Sequence, residues 1–245
     1  DRDSPVDTIN GFVEVYMDAR GVKGAWEALV YYVNPEKTAG IQRLAAAAAW
    51  FEERMPWDPV WRRPDVRGVT AKAIDVVIET GDSGPVTPIG INLPNDQAIR
   101  EVHGSKSVSL SNVAEAYDKS TPESFRREFA WSDEEASRAE RWSSLASELT
   151  TNIHEVLGHG SGRVAGPATG HAEAVQPHLA LKELYSTLEE TRADLVALYF
   201  VADAKMIELE LVPEGAHEEI VRAEYEAYAR NALVQLRRVR EGATI

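Results

Sequence analysis

Residues 151–162 read Thr-Asn-Ile-His-Glu-Val-Leu-Gly-His-Gly-Ser-Gly, and the spacing of the two histidines constrains how the chain around them folds. On a regular helix, positions i and i+4 lie about 40° apart and share a face. His154 and His159 are five residues apart, which would set them about 140° apart. They can meet one metal ion only if the helix between them is wider than an α-helix. A single π-type turn absorbs the extra residue, and Gly158 tolerates the distortion. The stretch therefore predicts a helix widened by one residue near Gly158.

Working outward, the second half of the chain is helical in pattern. Ser132-Asp133-Glu134-Glu135 is a helix start, with a Ser N-cap and a Glu three residues on. Leu181, Leu184, Leu188, Leu195 and Leu198 recur at helical spacing, so 179–201 reads as one amphipathic helix with Leu188, Leu195 and Leu198 on its buried face. Residues 218–240 form another, with basic residues at the favourable C-terminal end. The first part is mixed. Residues 11–16, 28–33 and 69–79 read as strands. Residues 37–54 read as a helix that carries the Ala45–Ala49 run and stops before Pro56. Residues 89–95 lead into a short helix. The turn Arg20-Gly21-Val22-Lys23-Gly24 lacks the strand–loop–helix order of a phosphate loop.

Composition narrows the chemistry. The 245 residues carry 26 Lys plus Arg against 40 Asp plus Glu, hence a formal charge of −14. Such a surface repels phosphate backbones and anionic membranes, so neither nucleic acid nor membrane is expected as a partner. There is no cysteine, which excludes disulfides, Cys nucleophiles and Cys-ligated metals. Any metal must be held by His, Asp or Glu. No apolar run reaches the ~18–20 residues that span a bilayer. The opening residues show no signal-peptide pattern, so the expected setting is cytoplasmic.

His154-Glu155-Val156-Leu157-Gly158-His159 is HExxH with one residue inserted. Zinc in hydrolases takes three protein ligands. A third is available in Glu189-Glu190-Thr191-Arg192-Ala193-Asp194. Glu190 and Asp194 share one stripe of that helix and Glu189 lies on another, so periodicity leaves Glu189 and Glu190 both open.

HEVLGHGSG followed by EETRAD resembles the dipeptidyl-peptidase III family of zinc exopeptidases, marked by HExxGH and EExxAE or EExxAD. Glu14-Val15-Tyr16, the segment 88–95 (PIGINLPN) and the segment 104–110 (GSKSVSL) resemble family segments in family order. The resemblance implies one zinc ion per chain, held by His154, His159 and Glu190, with Glu155 as general base. It implies that Glu189 and Asp194 orient the imidazoles. Asn92 and Asn95 would bind the peptide N-terminus, Glu14 and Glu27 its ammonium group, and Tyr16 the oxyanion. The implied fold is α+β: a β-containing lobe (1–36 and 68–115), a helical zinc-bearing lobe (37–67 and 116–245) and a cleft between them. The implied activity is release of dipeptides from the N-terminus of short peptides.

Family members are much longer, and a catalytic-site His falls beyond the segment matching 237–245. None of His103, His171, His178 or His217 sits in that context. The chain therefore resembles the core of a longer enzyme. Some family relatives carry a Nudix hydrolase domain upstream, which leaves a further Nudix domain open for the parent protein. Two other readings stand beside the peptidase. One is a zinc- and peptide-binding fragment without activity of its own. The other is a two-His, one-carboxylate metal oxygenase, which leaves Glu155 unexplained.

Overall fold

The computed structural model describes residues 4–11, 26–66, 69–83, 87–94, 97–164 and 177–236. Its fold is α+β, with a curled sheet drawn from the N-terminal part and helices after it. The strands are β1 (Val6–Gly11), β2 (Glu27–Val33), β3 (Thr70–Gly81), β4 (Gly90–Leu93) and β5 (Lys106–Leu110), in the order β1-β2-β3-β5-β4. β3 and β5 run parallel and the other neighbours antiparallel. Among the described residues β4 is therefore an edge strand. The strand expected over 11–16 lies mostly outside the described residues, and β1 precedes it.

The first helical pair is α1 (Pro35–Ala46) and α2 (Ala48–Glu52). One helix over 37–54 was expected, but the chain breaks at Ala47, where φ is −89° and ψ is 3°. Asn34 caps the start of α1 by accepting from Lys37 N at 3.1 Å, and Pro35 fills the first turn. α1 docks on β3 through Thr38, whose hydroxyl donates to Ala73 O and accepts from Ala73 N.

Short helices α3 (Gln97–His103), α4 (Ser111–Ser120) and α5 (Glu123–Glu128) lead to α6 (Asp133–Ile153). Ser132 caps α6 by accepting from Glu135 N at 3.3 Å. α7 (Pro177–Leu181), α8 (Tyr185–Val201), α9 (Lys205–Glu208) and α10 (His217–Leu236) follow. The single helix expected over 179–201 is thus two, parted by a 3-10 turn at Lys182–Leu184.

The buried face of α8 also differs from expectation. Leu188 and Leu195 are 48% and 60% exposed. The buried stripe is Glu189, Ala193, Val196, Ala197 and Phe200, centred about 120° round the helix from Leu188. The cause is close packing. A Cβ added at Gly158 would lie 2.8 Å from Ala193 Cα, so the contact admits only small residues. The main core joins α1, α2, α6, α8 and α10 around Phe51, whose ring meets Phe200 edge-on at 4.9 Å. A smaller core of Ile9, Leu29, Tyr31, Ile74, Val108 and Leu110 lies against the sheet. No helix among the described residues is long and apolar enough to cross a membrane.

One buried charge sits awkwardly in the α6–α10 packing. Burial pushes the Glu224 carboxyl up to about 7, helped by the charge on Asp194. The Thr150 hydroxyl beside it opposes the shift without closing a hydrogen bond. Below the ordinary carboxyl pKa, folded and unfolded forms are both protonated and the group is neutral to stability. As pH rises from there to about 7, only the unfolded chain ionises, so stability falls. Glu224→Gln should therefore stabilise the protein by ~1–3 kcal/mol near pH 8 and have little effect near pH 4. Guanidinium unfolding of both forms at the two pH values checks this. A variant that is destabilised near pH 8, or shifted equally at both, contradicts it.

Candidate metal centre

The site is built where α6 runs into a π turn at His154–Gly158. His159 N donates to His154 O at 3.0 Å, an i→i+5 bond in place of the α-helical one. The expected widening is present, and it turns the two imidazoles toward each other. Their Nε2 atoms lie 3.1 Å apart.

Both Nδ1 atoms are held from behind by α8. His154 Nδ1 is 2.8 Å from Asp194 Oδ1, and His159 Nδ1 is 2.9 Å from Glu189 Oε1. With the carboxylates ionised, both Nδ1 atoms carry their protons, and both Nε2 atoms present lone pairs to one point. Two lone pairs at that distance repel unless a proton or metal cation lies between them.

Glu190 completes the group. Its Oε2 is 3.2 Å from His154 Nε2 and its Oε1 3.6 Å from His159 Nε2. Ligands 2.0–2.1 Å from a tetrahedral zinc ion stand about 3.3 Å apart, which is close to the separation of the two Nε2 atoms and of His154 Nε2 from Glu190 Oε2. A ligand oxygen of Glu155 also lies within 4.8 Å of the imidazole nitrogens. That set of His154, Glu155 and His159 can itself gather at a cation. The Glu190 carboxylate lies nearer the two imidazoles, one oxygen facing each Nε2 atom.

The four carboxyls sit in different fields. Burial would raise Glu189, but His159 and the Arg192 and Arg100 guanidiniums outweigh it and hold the group well below the usual carboxylate range. Arg192 grips Glu189 with both donors, Nε to Oε2 at 2.9 Å and a terminal nitrogen to Oε1 at 2.7 Å. Asp194 is also held down, burial being overcome by His154 and by the Tyr228 hydroxyl, which donates to its Oδ2 at 3.1 Å. Burial opposes the charge on His154, yet Asp194 and Glu190 push it up to about 10. Burial pushes Glu155 up, the two imidazoles pulling the other way.

The segment after His159 is tied down as well. Arg63 donates to Gly160 O at 2.6 Å and to Arg100 O at 2.9 Å. Glu52 accepts from Arg63 N and Gly162 N. On the sheet side, Asn92 Nδ2 donates to Glu155 O at 2.9 Å, and Asn92 Oδ1 is buried without a partner.

Of the residues singled out in the sequence, the structure gathers His154, Glu155, His159, Glu189, Glu190, Asp194 and Asn92. Glu27 opens β2, opposite Gly11 and Gly81, beyond the Thr70–Ile74 part of β3 that pairs with β5. Glu14, Tyr16 and Asn95 lie outside the described residues. Sequence reasoning missed Arg192, Arg100, Tyr228 and Ser107. Only Arg192 left a signal, as an i+3 partner of Glu189.

The close approach of Gly158 to Ala193 sets how α8 presents its carboxylates. Gly158→Ala should push the two apart and lower affinity for zinc by ~10–100-fold, as losing the supporting contacts of metal ligands does. Competition with a chromogenic chelator measures it. Unchanged affinity in a folded variant contradicts the role given to this contact.

A sequence model described as Peptidase family M49 matches residues 1–174. The chain is similar to dipeptidyl peptidase 3 of Rattus norvegicus, 29% identical over an alignment of 235 residues that covers 85% of this chain and 30% of that protein. It is similar to Nudix hydrolase 3 of Arabidopsis thaliana, 29% identical over 206 residues, 81% of this chain and 25% of that protein. Among solved structures, dipeptidyl-peptidase III from Corallococcus sp. strain EGB superposes with a TM-score of 0.77 at 25% identity, over 94% of this chain and 41% of that one. The chain thus spans under a third of the length of these curated relatives. With a family match over more than half of its length, the chain belongs to peptidase family M49.

Proposed function

We propose that the protein to which this chain belongs is a zinc-dependent exopeptidase that releases dipeptides from the N-terminus of short peptides. One zinc ion would be held by His154, His159 and Glu190. The observation that carries this reading is the pair of Nε2 atoms 3.1 Å apart, with one Glu190 oxygen 3.2 Å from His154 Nε2 and the other 3.6 Å from His159 Nε2, while both Nδ1 atoms are held by carboxylates. The similarity to dipeptidyl peptidase 3 proteins supports the substrate class. The similarity to Nudix hydrolase 3 supports a Nudix domain in the parent protein.

Zinc at this point supplies Lewis-acid polarisation of a carbonyl and acidifies water. The rest falls to the chain. Glu155, buried beside the ligands, takes the proton from the attacking water and returns it to the leaving amine. Its burial brings its pKa nearer to working pH, as a base requires. Glu189 and Asp194 keep each imidazole in the tautomer that offers Nε2.

The outer edge of β4, unpaired among the described residues, would offer main-chain groups to an extended peptide. Asn92 Oδ1, buried and unpartnered, is an acceptor for the peptide's ammonium or first amide. Glu14, Glu27 and Asn95 would complete the amine clamp that sets the cut after the second residue. Tyr16 would donate to the oxyanion, an effect typically worth ~3 kcal/mol. The division into a β-containing lobe over 1–36 and 68–115 and a helical one elsewhere belongs to the same proposal.

A second reading is favoured by the chain spanning 30% of its rat relative: by itself it binds zinc and peptide without turnover. The oxygenase reading gives Glu155 no task.

In the full-length parent, Glu155→Gln should keep zinc and lose kcat by ~10²–10⁴-fold, since Gln is nearly isosteric but accepts no proton. Glu190→Ala should lose the metal. Turnover of short peptides with product masses, alongside metal analysis, tests both. Dipeptide products are expected. Near-normal kcat in zinc-loaded Glu155→Gln, or single amino acids as the products, contradicts the proposal.

A further inference from the structure

We infer that Ser107, acting with the Asn92 amide, is a positioning residue that keeps the helix wide between the two histidines. In an α-helix the Glu155 carbonyl would accept from His159 N. The π turn gives that N–H to His154 O instead. Gly160 N makes no backbone hydrogen bond to Glu155 O either. A buried carbonyl left without a donor costs about 1–3 kcal/mol.

The sheet supplies the missing donors. Ser107 Oγ donates to Glu155 O at 3.0 Å and Asn92 Nδ2 donates to the same atom at 2.9 Å. Asn92 Nδ2 also donates to Ser107 Oγ at 2.8 Å, which fixes the hydroxyl so that its proton points at the carbonyl. Asn92 and Ser107 are direct partners in the β4–β5 register, so their side chains leave the same face of the sheet. Gly90, two residues before Asn92, is on that face too. A Cβ there would lie 2.3 Å from Glu155 Oε1. One strip of the sheet thus caps the main chain of Glu155 and makes room for its carboxylate.

This bears on the metal because the α-helical register competes with the wide one. Returning to it would satisfy Glu155 O from His159 N and swing His159 about 100° away from His154. The two sheet donors stabilise the carbonyl only in the wide register, so they bias the equilibrium toward the geometry that holds zinc. Ser107 is almost wholly buried and touches neither imidazole, so its effect is indirect.

The inference rests on the metal reading above, and zinc binding tests it without relying on turnover. In the full-length parent, zinc affinity is measured by competition with a chromogenic chelator, with circular dichroism confirming the fold. Ser107→Ala should weaken zinc by ~10-fold, and the isosteric Asn92→Asp, which turns a lone pair on the carbonyl, by ~100-fold. Ser107→Thr keeps the hydroxyl and should stay closer to wild type than Ser107→Ala. A packing role alone predicts the reverse order, because threonine adds a methyl to a filled space, and that order overturns the inference. Wild-type affinity in folded Ser107→Ala and Asn92→Asp overturns it as well, leaving the metal reading intact. A wild-type protein that takes up no zinc removes the metal reading and this inference with it.

Discussion

Two imidazoles five residues apart can face one point only where the helix between them closes its hydrogen bonds over five residues instead of four. Much of the site follows from that demand. The wide turn strips the Glu155 carbonyl of its helical donor, and the sheet must meet it with Asn92 and Ser107. It carries a glycine where α8 comes close, so α8 meets it with Ala193 where a larger residue would not fit. That approach brings Glu189, Glu190 and Asp194 within reach of the imidazoles.

Four carboxylates surround two histidines here, and their surroundings give them different tasks. Glu189 is 8% exposed and clamped by two guanidiniums, so it stays ionised and serves as an acceptor for His159. Asp194 does the same for His154 with a tyrosine hydroxyl in place of arginine. Glu190 is 42% exposed and faces the two Nε2 atoms with its two oxygens, a setting that suits the proposed ligand. Glu155 is buried with no cation beyond the imidazoles among the causes that move it, the setting that suits a base. One residue type is thus placed in four different environments through burial and neighbours alone, which the proposed roles of support, ligand and base would use.

The π turn was legible in the sequence because an i, i+5 pair admits few geometries. The α6 start was legible because Ser132 and Glu135 form a local cap. The buried face of α8 was not, because a count of leucines assumes that the largest apolar residues set the contact. Here the contact is set by backbone approach at Gly158, and alanines win. The choice between Glu189 and Glu190 was also beyond periodicity, since it depends on where α8 sits along the π turn. Tyr228 and Ser107 left no trace, being 34 and 48 residues away in sequence from the groups they bond.

On the proposed reading, the wide turn brings His154, His159 and Glu190 onto one zinc ion. Anomalous diffraction at the zinc absorption edge from crystals of the full-length parent tests it most directly. The account predicts one anomalous peak about 2.0–2.2 Å from His154 Nε2, His159 Nε2 and a Glu190 oxygen, with the His159 N to His154 O bond kept. A zinc peak elsewhere, or a regular α-helical ladder through Gly158 with His159 turned away, would contradict it.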